Sequence, residues 1–160
     1  VTYDRDALAA ELIRDEGERF KVYRCPAGKR TIGIGRNLDD VRISPAETAA
    51  LGITLASVLK NGITREQSRA LFANDIAACE RQLDAKLPWW RGLSDVRQRA
   101  LLNMCFNLGI GRLLGFKNTL ARMERGDFVG AAARMRTSLW ARQVGARAER
   151  LATMMEKGTA

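Results

Sequence analysis

The chain has 160 residues, 46% hydrophobic and 28% charged, which supplies material for a core and excludes a largely disordered polymer. It contains no histidine, which excludes nucleophiles activated by histidine and removes the commonest ligand for zinc or iron; carboxylate, thiol and hydroxyl chemistry remains, and no metal or cofactor is expected. The net charge of +9 implies an anionic partner, but only 6% of residues are aromatic and no helix-turn-helix, zinc-finger or RNA-binding signature accompanies the basic residues, so nucleic acid is not the expected one.

This length fits one folding unit that divides into two lobes around a cleft. The apolar stretches fall short of the roughly 18 to 20 residues that span a bilayer, and the amphipathic VTYDRDALAAELIRDEG does not read as a signal peptide. Cys25, Cys79 and Cys105 are odd in number and widely spaced, which predicts reduced thiols rather than a disulfide framework or a metal site.

From about Asp6 to Glu16, Leu8, Leu12 and Ile13 share one helical face, and Gly17 stands where a helix ends, so Glu16 falls in the last turn. In FKVYRCPAGKRTIGIG, alternation at Phe20 and Val22, turn chemistry from Pro26 to Gly28, and alternation at Ile32 and Ile34 predict a β-hairpin. Asn37 to Asn61 is ambiguous, with a helix start at Ser44-Pro45 and an interruption at Gly52. Thr64 and Gln67 match a capping box ahead of a long helix through Phe72, Ile76, Cys79, Leu83 and Leu87 that ends near Pro88. At ~1.5 Å per residue it spans on the order of 33 Å, enough to bridge two lobes. Helices then follow from Ser94 to Gly109, through Phe116, Leu120 and Met123 to Gly126, from Asp127 through FVGAAARMRTSLWARQ, and through RAERLATMMEKG. The predicted fold class is α+β and mainly α: a hairpin-containing N-terminal lobe over about residues 1–63, a connecting helix over about 64–87 and a helical C-terminal lobe over about 88–160.

If the hairpin folds back beside the first helix, helix-terminal Glu16, turn residue Cys25 and strand-start Thr31 come together. A carboxyl at a helix C-terminus faces the negative end of the macrodipole, which disfavours ionisation and suits Glu16 to proton donation; a solvated helix-end glutamate is the competing reading.

DEGERFKVYRCPAGKRTIGIGRNL resembles the signature of the T-even phage lysozymes: Glu, eight residues, Asp or Cys, five residues, Thr. Glu16, Cys25 and Thr31 fall on it without a gap, and the likeness continues in GITREQSRALFANDI, RQRALLNMCFNLG, GFKNTL and SLWARQVGARAERL. The resemblance implies a lysozyme-like fold with a cleft between the lobes, Glu16 as general acid, and Cys25 and Thr31 as the residues that hold or activate water, with inversion as the usual outcome. Position 25 departs from the best-known members, which carry aspartate; an ordinary thiol has a pKa near ~8.5 and needs help to ionise, for which Arg24, Lys29 and Arg30 are close in sequence. Cys25 then either orients or deprotonates water, attacks the sugar itself, or is a structural or introduced thiol.

The resemblance further implies an ion pair between Arg36 and Asp75, and Phe106, Asn107, Thr119, Arg134 and Arg147 at or beside the saccharide surface, although core packing explains Phe106 as well. Arg147 or Arg150 is a candidate partner for Glu16. Trp140 reads as a core anchor and Trp89-Trp90 as loop or lobe packing. The expected function is that of an endolysin muramidase, a monomer acting on peptidoglycan glycan strands, drawn electrostatically to the anionic envelope and held in the host cytoplasm until a separate protein opens the membrane. The alternatives are a lytic transglycosylase, or a non-hydrolytic glycan-binding or membrane-perturbing protein on the same fold.

Overall fold

The structure, a computed structural model, describes residues 2–160; Val1 lies outside them. It is mainly helical with one small antiparallel sheet, a lysozyme-like α+β fold. The elements run α1 (Arg5–Glu16), β1 (Arg19–Arg24), β2 (Arg30–Gly33), β3 (Arg36–Asn37), α2 (Pro45–Leu51), α3 (Leu55–Asn61), α4 (Arg65–Lys86), a 3-10 turn (Pro88–Gly92), α5 (Asp95–Leu108), α6 (Ile110–Leu114), α7 (Lys117–Glu124), α8 (Phe128–Arg136), α9 (Leu139–Val144) and α10 (Ala146–Lys157). The chain divides into two compact units, residues 9–77 and residues 78–160 with the N-terminal residues up to 8; α1 and α4 each contribute to both.

In the unit of residues 9–77 the strands lie in the order β1-β2-β3, with Tyr23 opposite Thr31 and Ile32 opposite Arg36. Ile32 and Leu38 pack with Ile53, Val58, Ile63 and Leu71, and Val22 joins them from β1, so one sheet face is given to the core. The ambiguous stretch after β3 forms two short helices, each opened by a reciprocal capping box, Ser44 with Glu47 and Thr54 with Ser57. Gly62 ends α3 where its chain meets β1: a Cβ there would lie 2.1 Å from the Phe20 carbonyl oxygen, so only glycine allows Ile63 N–H to reach that oxygen at 2.9 Å. Thr64 and Gln67 cap α4 reciprocally, the Thr64 N–H donating to Gln67 Oε1 at 2.9 Å and the Gln67 N–H to Thr64 Oγ1 at 3.1 Å.

A buried guanidinium ties three of these elements together. Arg36 of β3, 3% exposed, donates through Nη1 and Nη2 to Glu47 of α2 at 3.0 and 2.6 Å and through Nε to Asp75 of α4 at 3.0 Å. Its Nη1 also reaches the Arg42 carbonyl at 2.8 Å. Burial pushes the Glu47 carboxyl up, but donation from Arg36, the Ser44 N–H and Asn74 outweighs it and lowers the pKa to about 2. At Asp75 burial prevails over Arg36, and the Glu47 charge adds to it, so that carboxyl is raised.

In the other unit α5 is the central helix, with Ala100, Leu101, Leu102, Met104 and Cys105 buried, and α8 and α10 offer Ala131, Ala132, Ala148 and Ala152 to the packing. Arg97 closes α10 by donating to the carbonyls of Met155 and Glu156 at 2.7 and 3.0 Å, a cation on the negative helix end. Trp90 is fully buried in the 3-10 turn with its indole N–H on Asp84 at 2.8 Å, and Trp140 is 4% exposed.

One sequence expectation changes here. The segment expected from Asp127 as one helix is two, because Ser138 caps α9: its hydroxyl accepts from the Ala141 N–H at 3.1 Å and donates to the Met135 carbonyl at 2.7 Å, closing α8. The three cysteines form no disulfide, as their spacing predicted; Cys79 hydrogen-bonds to the Cys105 sulfur, and the Cys105 thiol donates to Gln82 Oε1 at 3.9 Å.

The depressed Glu47 pKa sets a pH dependence. Stability from Glu47 is fully present above about pH 5 and is lost as pH falls towards the folded value of about 2; it amounts to about 3 kcal/mol. Asp75, raised, acts with the opposite sign. The urea midpoint of the wild type is expected to fall between pH 5 and pH 2.5, and that of Glu47→Gln to be lower at pH 7 and to fall less steeply over the same range, because Glu18, Asp84 and Asp95 are also lowered.

Candidate active site

The first helix delivers Glu16 at its last position, half-buried, and Gly17 turns the chain out in the left-handed conformation with its N–H on the Ile13 carbonyl at 2.8 Å. Six residues of β1 then lead to Cys25, which opens the hairpin loop.

That loop is built by two backbone hydrogen bonds: the Gly28 N–H donates to the Cys25 carbonyl at 2.8 Å, and the Cys25 N–H to the Lys29 carbonyl at 2.9 Å. Pro26 supplies the fixed φ of a turn's second residue, and Gly28, at φ 81°, the left-handed residue that follows. Nothing lies within 4 Å of a Cβ placed on Gly28, so the requirement there is the dihedral and not the space. Cys25 thus occupies the first turn position, the one aspartate, asparagine and serine favour because their side chains accept N–H groups of the same turn. Burial alone would raise the thiol, but the N–H groups of Lys29 and Ala27, with a smaller contribution from the neighbouring Thr31 side chain, more than offset it, and the pKa lies below the ordinary thiol value.

Thr31, at 3% exposure, lies on β2 opposite Tyr23, its hydroxyl donating to the Lys29 carbonyl at 2.9 Å. Tyr23 connects the site: burial raises its phenol first, and the charges of Glu16 and then Cys25 raise it further, against Arg19, whose guanidinium lies 4.6 Å from the ring centroid. Glu16, Cys25 and Thr31 are therefore grouped around Tyr23 within one unit.

Phe106, Asn107, Thr119, Arg134 and Arg147 belong to the other unit. Asn107 Oδ1 accepts from the Trp140 indole at 2.7 Å, which leaves its amide N–H groups directed by that bond, and Trp140 meets Phe116 edge-on at 6.1 Å. Arg134 is exposed and lines a groove of about 380 Å³ with Arg122, Gly130, Ala133 and Thr137. Phe106 is half-buried; Thr119 and Arg147 are buried at 4% and 8%, and Arg147 donates to Asn103 Oδ1 at 2.8 and 3.0 Å. Sequence reasoning missed Tyr23 and Glu47. The spacing Ser44-x-x-Glu47 was a legible capping box; nothing local marked Tyr23, whose position comes from strand register.

A family model for phage lysozyme matches residues 14–157. The chain belongs to the phage lysozyme family, whose members are glycoside-hydrolase-like enzymes. It is 29% identical to probable T4-type lysozyme 1 of Dictyostelium discoideum, over 91% of each chain. It is 33% identical to the pre-baseplate central spike protein Gp5 of Enterobacteria phage T4 over 95% of its own length but only 28% of that protein. It is 29% identical to an endolysin of Acyrthosiphon pisum secondary endosymbiont phage 1, over 75% of this chain and 68% of the relative. Among the described residues, no helix of this phage lysozyme family member is long and apolar enough to cross a membrane.

The hydrogen bonds on Cys25 make its ionisation measurable. Alkylation by iodoacetamide, followed by peptide mass spectrometry, is expected to reach half-maximal rate at a lower pH than an ordinary thiol does. Thr31→Val should move that midpoint upward, while Cys79 and Cys105, at 7% and 1% exposure, react far more slowly.

Proposed function

We propose that this protein hydrolyses the β-1,4 bond between N-acetylmuramic acid and N-acetylglucosamine in bacterial peptidoglycan, with Glu16 as general acid and Cys25 and Thr31 handling the attacking water. One observation carries the reading: in a chain of the phage lysozyme family, a helix-terminal carboxyl and the first residue of the hairpin turn, a thiol held below its ordinary pKa, both act on Tyr23, which stands opposite Thr31. Glu16 gives its proton to the glycosidic oxygen as the bond to the anomeric carbon breaks. A water forms the new bond to that carbon, and its proton passes to the Cys25 thiolate. Attack from the face opposite the leaving group inverts the configuration.

Phe106, Asn107 and Arg134 enter this proposal as contacts for sugar rings and their substituents, and the buried Thr119 and Arg147 as supports behind them. The net charge of +9 favours approach to the anionic cell wall. The setting proposed is that of an endolysin, released to the wall by a separate membrane-permeabilising protein.

Product analysis on purified peptidoglycan tests the reading. New reducing N-acetylmuramic acid ends with inverted configuration are expected. Retained configuration points instead to Cys25 as nucleophile, and anhydro-muramic ends to a transglycosylase. Glu16→Gln is expected to lower the rate on the order of 10² to 10⁴-fold; equal slow release by wild type and Glu16→Gln overturns the assignment. Cys25→Ala should be strongly impaired and Cys25→Asp should keep much of the activity.

A further inference from the structure

The hairpin register places a second hydroxyl at this site. Tyr23 and Thr31 are directly opposed across β1 and β2, so their side chains leave the sheet on the same face, and Cys25, two residues beyond Tyr23, continues that side. Val22 and Ile32, the intervening residues, pack into the core on the other face. The Arg19 guanidinium over the Tyr23 ring holds it from behind. Among the described residues the phenol O–H makes no hydrogen bond to protein, although it is half-buried and senses the charges of both Glu16 and Cys25. A partly buried donor without a protein partner is completed by whatever occupies the space beside it.

We propose that the Tyr23 hydroxyl donates a hydrogen bond to the attacking water and fixes its orientation, a positioning role that rests on the lysozyme reading above. The bond count of that water favours this. The Thr31 proton is engaged by the Lys29 carbonyl, so Thr31 Oγ1 accepts one water proton, and the Cys25 thiolate accepts the other. Two lone pairs remain. A donor on one leaves only the other to point at the anomeric carbon, and Tyr23 is that donor. Because its phenol is held above the usual tyrosine value and the thiol below its own, it is still protonated as the thiolate forms.

The experiment is Tyr23→Phe, which keeps the ring and its stacking on Arg19 and removes only the hydroxyl. On purified peptidoglycan, kcat is expected to fall about 10-fold with KM and Tm unchanged. The same variant is then titrated without substrate: losing the water bridge should slow Cys25 alkylation at pH 7 about threefold. An unchanged kcat, or a raised KM with kcat retained, overturns the proposal, the second outcome marking Tyr23 as a sugar contact. An unmoved alkylation profile overturns it as well. If wild type releases no reducing ends but the alkylation profile still shifts, the muramidase reading has failed while the link between hydroxyl and thiol stands.

Discussion

Arg36 carries a positive charge into the interior of residues 9–77, and three elements far apart in sequence meet on it. Taking a guanidinium out of water is costly unless every donor finds an acceptor. Here Glu47 takes a two-pronged bond, Asp75 takes Nε, and the Arg42 carbonyl takes a further proton. The consequence reaches the site through the sheet. Arg36 pairs with Ile32, and Ile32 is covalently next to Thr31, so whatever holds β3 against α2 and α4 also holds the Thr31 hydroxyl at the site.

The two carboxylates on Arg36 are not equivalent, and the difference is one of hydrogen bonding. Glu47 also caps α2 through the Ser44 N–H and receives Asn74, so its charge is well satisfied. Asp75 accepts from Arg36 Nε and has a second negative charge nearby, so burial and repulsion prevail. A network arranged this way is most secure near neutral pH, where Glu47 is ionised.

The same logic explains how a thiol serves at a turn position that suits an acidic side chain. Backbone N–H groups in a tight loop converge on the side chain of its first residue whatever that residue is. They stabilise negative charge on sulfur as they would on a carboxylate oxygen. The positive charges of Arg24, Lys29 and Arg30, natural candidates from sequence, are not what lowers Cys25; Arg24 is turned to the Gly28 carbonyl at 2.7 Å, and Arg30 is clamped on Asp39 at 2.6 Å. Loop geometry outranks sequence proximity because a hydrogen bond acts at contact, whereas solvent screens mobile surface charges.

Much of this protein was legible from the chain alone, wherever the information is local. Gly17 after an apolar stripe, Pro26 to Gly28 between alternating segments, Thr64 with Gln67 and Ser94 mark elements by capping and turn chemistry that operates within a few residues. The family signature likewise lies in one continuous stretch. What only the tertiary structure decided is non-local. The neighbourhood of Cys79 and Cys105 depended on how helices meet. The role of Glu47 depended on a partner eleven residues away and the placement of Tyr23 on strand register. Periodicity fixes which face of an element is apolar, but not which side chains from other elements stand opposite it, and at Tyr23 and Arg36 that opposition carries the chemistry.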